Sequence, residues 1–155
     1  MSKAQTTPLP DPPARRRWMS ILARAEAAEI AARLDPLPGL PAHKRLRGPE
    51  TGLVMVRGRT GGDGAPFNLG EMTVTRCAVR LADGTVGHGY VAGRDARQAE
   101  LAALLDALMQ DPERRPGLEA AVIGPLERAQ ADRRASQARK AAATRVEFFT
   151  MTQMR

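Results

Sequence analysis

The stretch Phe67-Asn68-Leu69-Gly70-Glu71-Met72-Thr73-Val74-Thr75-Arg76-Cys77 decides the fold, together with Ala78-Val79-Arg80-Leu81 and Asp83-Gly84 that follow it. Asn68 and Gly70 are turn formers. Behind them Met72 and Val74 alternate with Thr73 and Thr75, the two-residue period of a strand with one buried face. Asp83-Gly84 is a two-residue hairpin signal, so 71–81 and 85–91 read as adjacent antiparallel strands. Upstream, Leu53 to Arg59 is rich in Val and Met and reads as a strand. Thr60-Gly61-Gly62-Asp63-Gly64-Ala65-Pro66 is a flexible connection, and the three strands make a meander.

Helices flank this core. Residues 1–13 hold four prolines and read as a disordered N-terminal tail. A helix is expected from Ala14 to about Leu34, because Trp18, Ile21, Leu22 and Ala25 recur at i, i+3, i+4 and i+7. Asp35-Pro36 stops it, since a residue before proline avoids the α region. After the meander, Asp95 is placed to cap a helix whose buried stripe is Leu101, Leu104, Leu105 and Leu108. Asp111-Pro112 ends that helix. A short helix is expected at 117–123, closed by Gly124-Pro125, then a longer Ala/Arg-rich one over 125–144. Val146 to Met151 reads as a last strand. The expectation is a single α+β domain over 14–155: a small antiparallel sheet, meander plus C-terminal strand, with helices on one face.

The chain has 155 residues, only 3% of them aromatic, and a net charge of +7. Its core must be built from Leu, Val, Ile, Ala and Met, which leaves room for a partner to complete it. The charge favours anionic partners such as nucleic acid, phosphorylated ligands or acidic proteins. One cysteine excludes an internal disulfide. No window reaches the ~18 apolar residues of a membrane span, and the N-terminus lacks a signal-peptide apolar stretch, so a cytoplasmic protein is expected.

The candidate chemistry is sparse. Cys77 and His88 lie near one register across the hairpin and would form a thiolate pair if they met; a lone cysteine more often packs as a small hydrophobe. One Cys and two His without close spacing do not make a metal site. Glu71 and Glu100 are isolated carboxylates, suited to a cap or a surface ion pair. Gly58 to Gly64 is Gly-rich without the Lys-Ser/Thr of a Walker loop, although Arg57 and Arg59 beside it would suit a phosphate. Arg128, Arg133, Arg134, Arg139, Lys140 and Arg145 make the last helix basic, but not on one face. The shortage of aromatic residues to stack bases argues against single-stranded nucleic acid.

Four blocks of sequence resemble the PhnG family, the small subunit of the bacterial carbon–phosphorus lyase core complex. They are Arg17-Trp18-Met19-Ser20-Ile21-Leu22-Ala23; Glu50-Thr51-Gly52-Leu53-Val54-Met55 with Arg57; Phe67 through Arg94-Asp95 and Ala99-Glu100 to Asp106-Ala107-Leu108-Met109-Gln110; and Val146-Glu147-Phe148-Phe149-Thr150-Met151. The resemblance implies a subunit of α-D-ribose 1-methylphosphonate 5-triphosphate synthase. That assembly displaces adenine from ATP with an alkylphosphonate. Its implied partners are a nucleosidase-like subunit, a third synthase subunit and a radical-SAM lyase subunit; ATP with Mg is substrate of the complex, and this chain binds no cofactor of its own. No catalytic residue is identified. A stand-alone basic nucleic-acid-binding protein and an autonomous Cys77 hydrolase remain the alternatives.

Five residues are the expected partner contacts. Trp18 and Phe148 are large apolar groups near the chain ends, suited to anchor an interface. Glu71, Arg76 and Arg94 are the polar residues of the meander that strand propensity least explains. They suit charge-assisted hydrogen bonds, buried or across an interface.

Overall fold

Glycine and alanine set how the layers meet. In the computed structural model, which describes residues 11–144, a three-stranded antiparallel sheet runs β1 (His43–Arg59), β2 (Pro66–Leu81), β3 (Val86–Ala92), in that spatial order. Helix α3 (Ala96–Met109) lies directly on β3. A Cβ added at Gly89 would stand 2.0 Å from the carbonyl oxygen of Ala99, and one at Gly87 2.0 Å from that of Ala103. Only glycines on the strand, facing Ala99, Ala103 and Ala107 on the helix, permit that approach. Cys77 and Val79 pair with these glycines and face the same helix, while Arg76, Tyr90, Ala78 and His88 point to the opposite face, which no helix among the described residues covers.

The first helical segment is broken where one long helix was expected. Helix α1 (Pro12–Leu22) and helix α2 (Ala27–Leu34) are separated by a turn. The amide of Gln98 donates to the carbonyls of Ala23 at 3.2 Å and Ala25 at 2.6 Å. That of Gln130 donates to Ile21 at 2.8 Å. These two buried side chains take over carbonyls that an uninterrupted helix would have used itself. A reciprocal capping box between Glu26 and Glu29 then restarts the chain as α2. The expected face survives the break: Trp18, Ile21, Leu22 and Ala25 are all buried.

Strand boundaries also move. β1 begins ten residues before Leu53, its start masked by Lys44, Arg45, Arg47 and Glu50; register shifts around Gly48-Pro49 fit a proline onto an edge strand. β2 begins at Pro66, because Asn68 and Gly70 lie in the ladder and Leu69 is absorbed as a bulge opposite Val56 and Arg57. The hairpin loop holds three residues rather than two. Leu81 N–H bonds Thr85 O at 2.9 Å, and Gly84 takes the left-handed φ of +91°.

Gly124-Pro125 does not end a helix. Helix α4 (Arg115–Leu118), a π-helical turn (Glu119–Ile123) and α5 (Gly124–Ala143) run on as one rod. The wider turn accommodates Pro125, which has no N–H to donate and whose ring would crowd the carbonyl four residues back. Asp95 caps α3 as expected, accepting from Gln98 N–H at 2.9 Å. The result is α+β, with helices on one face of the sheet. The expected strand Val146–Met151 lies outside the described residues.

Candidate functional site

Asp106 of α3 is fully buried, and α1, α3 and β3 converge on it. It accepts from Arg15 Nε at 3.1 Å and Arg15 Nη2 at 2.7 Å, from Trp18 Nε1 at 2.9 Å and from the backbone N–H of His88 at 2.9 Å. The carboxylate raises the pKa of Arg15 by hydrogen bonding, against the opposing effect of burial. Arg115 stacks over the Trp18 ring at 5.5 Å. This cluster corrects one expectation. Trp18 is 1% exposed, consumed by its own core, and is no surface anchor for a partner. Its spacing correctly marked a buried face, but sequence cannot say whose atoms bury it.

A second polar cluster joins the edge of the sheet to α3. Glu100 receives both Nε and Nη2 of Arg45 at 2.7 Å, and His43 Nε2 lies 3.2 Å away. Arg45 chiefly, and His43, hold the Glu100 carboxyl below the ordinary glutamate range. It is therefore an ionised clamp and unsuited to general-acid work near neutral pH. An open depression of about 500 Å³ adjoins it, lined by Leu40, Pro41, His43, Arg97 and Leu104 among others. The ion-pair reading of Glu100 holds; its partners, 55 and 57 residues away in sequence, gave no local signal.

Cys77 and His88 do not meet. Cys77 pairs with Gly89 and is buried on the helix side, its thiol donating to Arg47 O at 3.3 Å. His88 pairs with Ala78 and is exposed on the other face. Burial pushes the Cys77 thiol up, so it stays protonated and is a poor nucleophile.

The remaining expected contacts lie at the surface. Arg76 is half exposed, 3.5 Å from Glu50 across β1 and β2. Glu71 is exposed opposite Met55, and Arg94 is exposed at the corner between β3 and α3. None is buried within the chain. Phe148 lies outside the described residues. The surface near Glu71 has an unusual composition. Beyond the end of β3, residues 53–59 and 66–73 continue as a two-stranded ribbon, on which Leu53 is 63%, Leu69 63% and Met55 52% exposed. Tyr90, beside it on the uncovered sheet face, is 49% exposed. Leu53 and Met55, two residues apart on one face of the ribbon, form an exposed apolar surface of the kind that marks an interaction site. Reading Asn68-Leu69-Gly70 as a turn hid how far the ribbon runs.

Fold and surface together define a small α+β protein with a sheet covered on one face and an apolar ribbon extending past its body. The chain belongs to the PhnG family: the family model described as "Phosphonate metabolism protein PhnG" matches residues 13–153. It is also similar to the "Alpha-D-ribose 1-methylphosphonate 5-triphosphate synthase subunit PhnG" of Rhizobium meliloti (strain 1021), with 50% identity over 137 residues, 88% of this chain and 87% of that protein.

Proposed function

We propose that the chain is a subunit of an α-D-ribose 1-methylphosphonate 5-triphosphate synthase, within a carbon–phosphorus lyase core complex, working in the cytoplasm. The observation that carries this reading is 50% identity, over nearly the full length of both chains, to a protein named as that subunit. The reaction breaks the ribose C1–N bond to adenine and forms a C1–O bond to an alkylphosphonate, with ATP and its Mg as substrate. Such a displacement gathers positive charge at C1 and brings an anionic nucleophile beside a triphosphate.

This chain supports that chemistry and does not perform it alone. The buried carboxylate of Asp106 and the half-buried one of Glu100 are both engaged by arginine, and the chain's thiol is held neutral. The His43–Glu100 pair lines an open depression, but Arg45 holds its carboxylate ionised through two hydrogen bonds. The partners are a nucleosidase-like subunit, where the main chemistry is placed, a third synthase subunit and the radical-SAM lyase subunit. Reconstitution tests the reading. Adenine release from ATP and methylphosphonate should require this chain together with the other synthase subunits. An undiminished rate without it, or a salt-sensitive DNA shift with no co-purifying subunits, would overturn the proposal in favour of a nucleic-acid-binding protein.

A further inference from the structure

Two projections leave the body at the same end. The C-terminus of β3, the N-terminus of α3 and the α1–α2 turn mark that end, since Ala92 pairs with Val74 and Gln98 holds the carbonyls of Ala23 and Ala25. The ribbon of β1 and β2 continues past Ala92 for seven residues of β1, roughly 23 Å at the rise of a strand. On the far side of the helices, α5 runs alongside α1. Glu127 meets Arg17, Gln130 meets the Ile21 carbonyl and Arg133 meets Glu29 at the start of α2. Beyond Arg133 the helix has passed the body. Residues 134–143 extend roughly 15 Å farther, exposed apart from the half-buried Ser136.

The two projections differ in chemistry. Leu53 and Met55 share the helix-side face of the ribbon; Leu69 and Met72 belong to its opposite face. A lone two-stranded ribbon is marginal in water, and more so with apolar groups on both faces. The overhang of α5 carries Arg134, Arg139 and Lys140 and no acidic residue, while Ala131, Ala135, Ala138 and Ala142 line one side at helical spacing. Helices α1 and α3 lie against the sheet and α5 against α1, which sets the projections roughly 20 Å apart at ordinary packing distances.

We infer that the ribbon and the α5 overhang are the two prongs of one clamp, which grips a single protein partner carrying an apolar patch bordered by carboxylates. Charge selects that occupant. A second copy of a chain at +7 would bring like charge against the basic prong, whereas an acidic protein surface neutralises it and lets the inner face of the ribbon bury Leu53 and Met55. The inference rests on the subunit reading above and adds to it the surface used and the character of the partner.

The test uses the full chain co-expressed with the other synthase subunits. Leu53→Asp and Met55→Asp, on the face of the ribbon turned towards α5, should each weaken complex recovery about 30-fold, as loss of a central anchor does. Arg134→Glu combined with Arg139→Glu should slow association about tenfold and flatten its salt dependence. All four side chains are exposed, and unchanged circular dichroism will show that each variant folds. Photo-crosslinkers placed at Met55 and at Arg139 should label the same partner chain. If wild-type chain assembles but the variants do so equally well, or the two crosslinkers label different chains or a second copy of this one, the clamp is wrong and the subunit reading stands. If wild-type chain recovers no synthase subunit, both fail.

Discussion

Asp106 accepts from an arginine and an indole on α1 and from the backbone of β3, so removing it strands three donors inside the protein. Breaking a buried pair in this way costs about 3–5 kcal/mol. Asp106→Ala should lower urea-unfolding stability by that much and expose Trp18, with a red shift of its fluorescence. Unchanged emission and midpoint would mean that the pair is not closed in solution. Gly89→Ala adds one methyl against the Ala99 carbonyl and should cost about 3 kcal/mol by overpacking. Cys77→Ser should leave adenine release by the complex intact, and Cys77 should react slowly with thiol reagents until the protein unfolds. Rapid labelling of the folded chain would contradict its buried, neutral state. These roles were partly readable from sequence. Cys77 as a packed hydrophobe follows from its residue type; Asp106 sat unremarked in a helix, because its partners come from 91 and 88 residues upstream.

Elements show where local reading stops. Helix α3, its Asp95 cap and β3 are where periodicity and capping put them, because they are decided by residues next to one another. The α1–α2 break is decided by Gln98 and Gln130 from other helices, and no pattern within residues 14–34 records that. Gln98→Ala should leave the Ala25 carbonyl unpaired and cost about 1–3 kcal/mol, readable as a lower thermal midpoint. The clamp of β1 to α3 titrates. Glu100 has its folded pKa depressed, so its contribution is complete above the ordinary glutamate value of about 4.3 and is lost as pH falls through the lower folded value. Wild-type chain should therefore lose stability more steeply below about pH 4.3 than Glu100→Gln, which lacks this group. Identical acid limbs would remove Glu100 from the account.

For the assembled protein, the resemblance carried in four blocks of sequence anticipated the family, while composition alone reached only a basic α+β chain. Arg76 separates the two kinds of evidence about its surface. Its pair with Glu50 is solvated, so Arg76→Ala should change the isolated chain by under about 1 kcal/mol. A loss of complex recovery or of adenine release would then report an interface contact; normal assembly and rate would exclude Arg76 from it. The close seam between β3 and α3 has one more consequence. It joins residues 86–109, a contiguous stretch closed by a three-residue corner, so its contacts are local, and the facing residues Gly87, Gly89, Ala99, Ala103 and Ala107 are buried. In hydrogen exchange this unit should open last, near the free energy of global unfolding. The ribbon and the α5 overhang should exchange fastest. The molecule thus grades from rigid to soft along its length, and its soft end is the one that carries both projections.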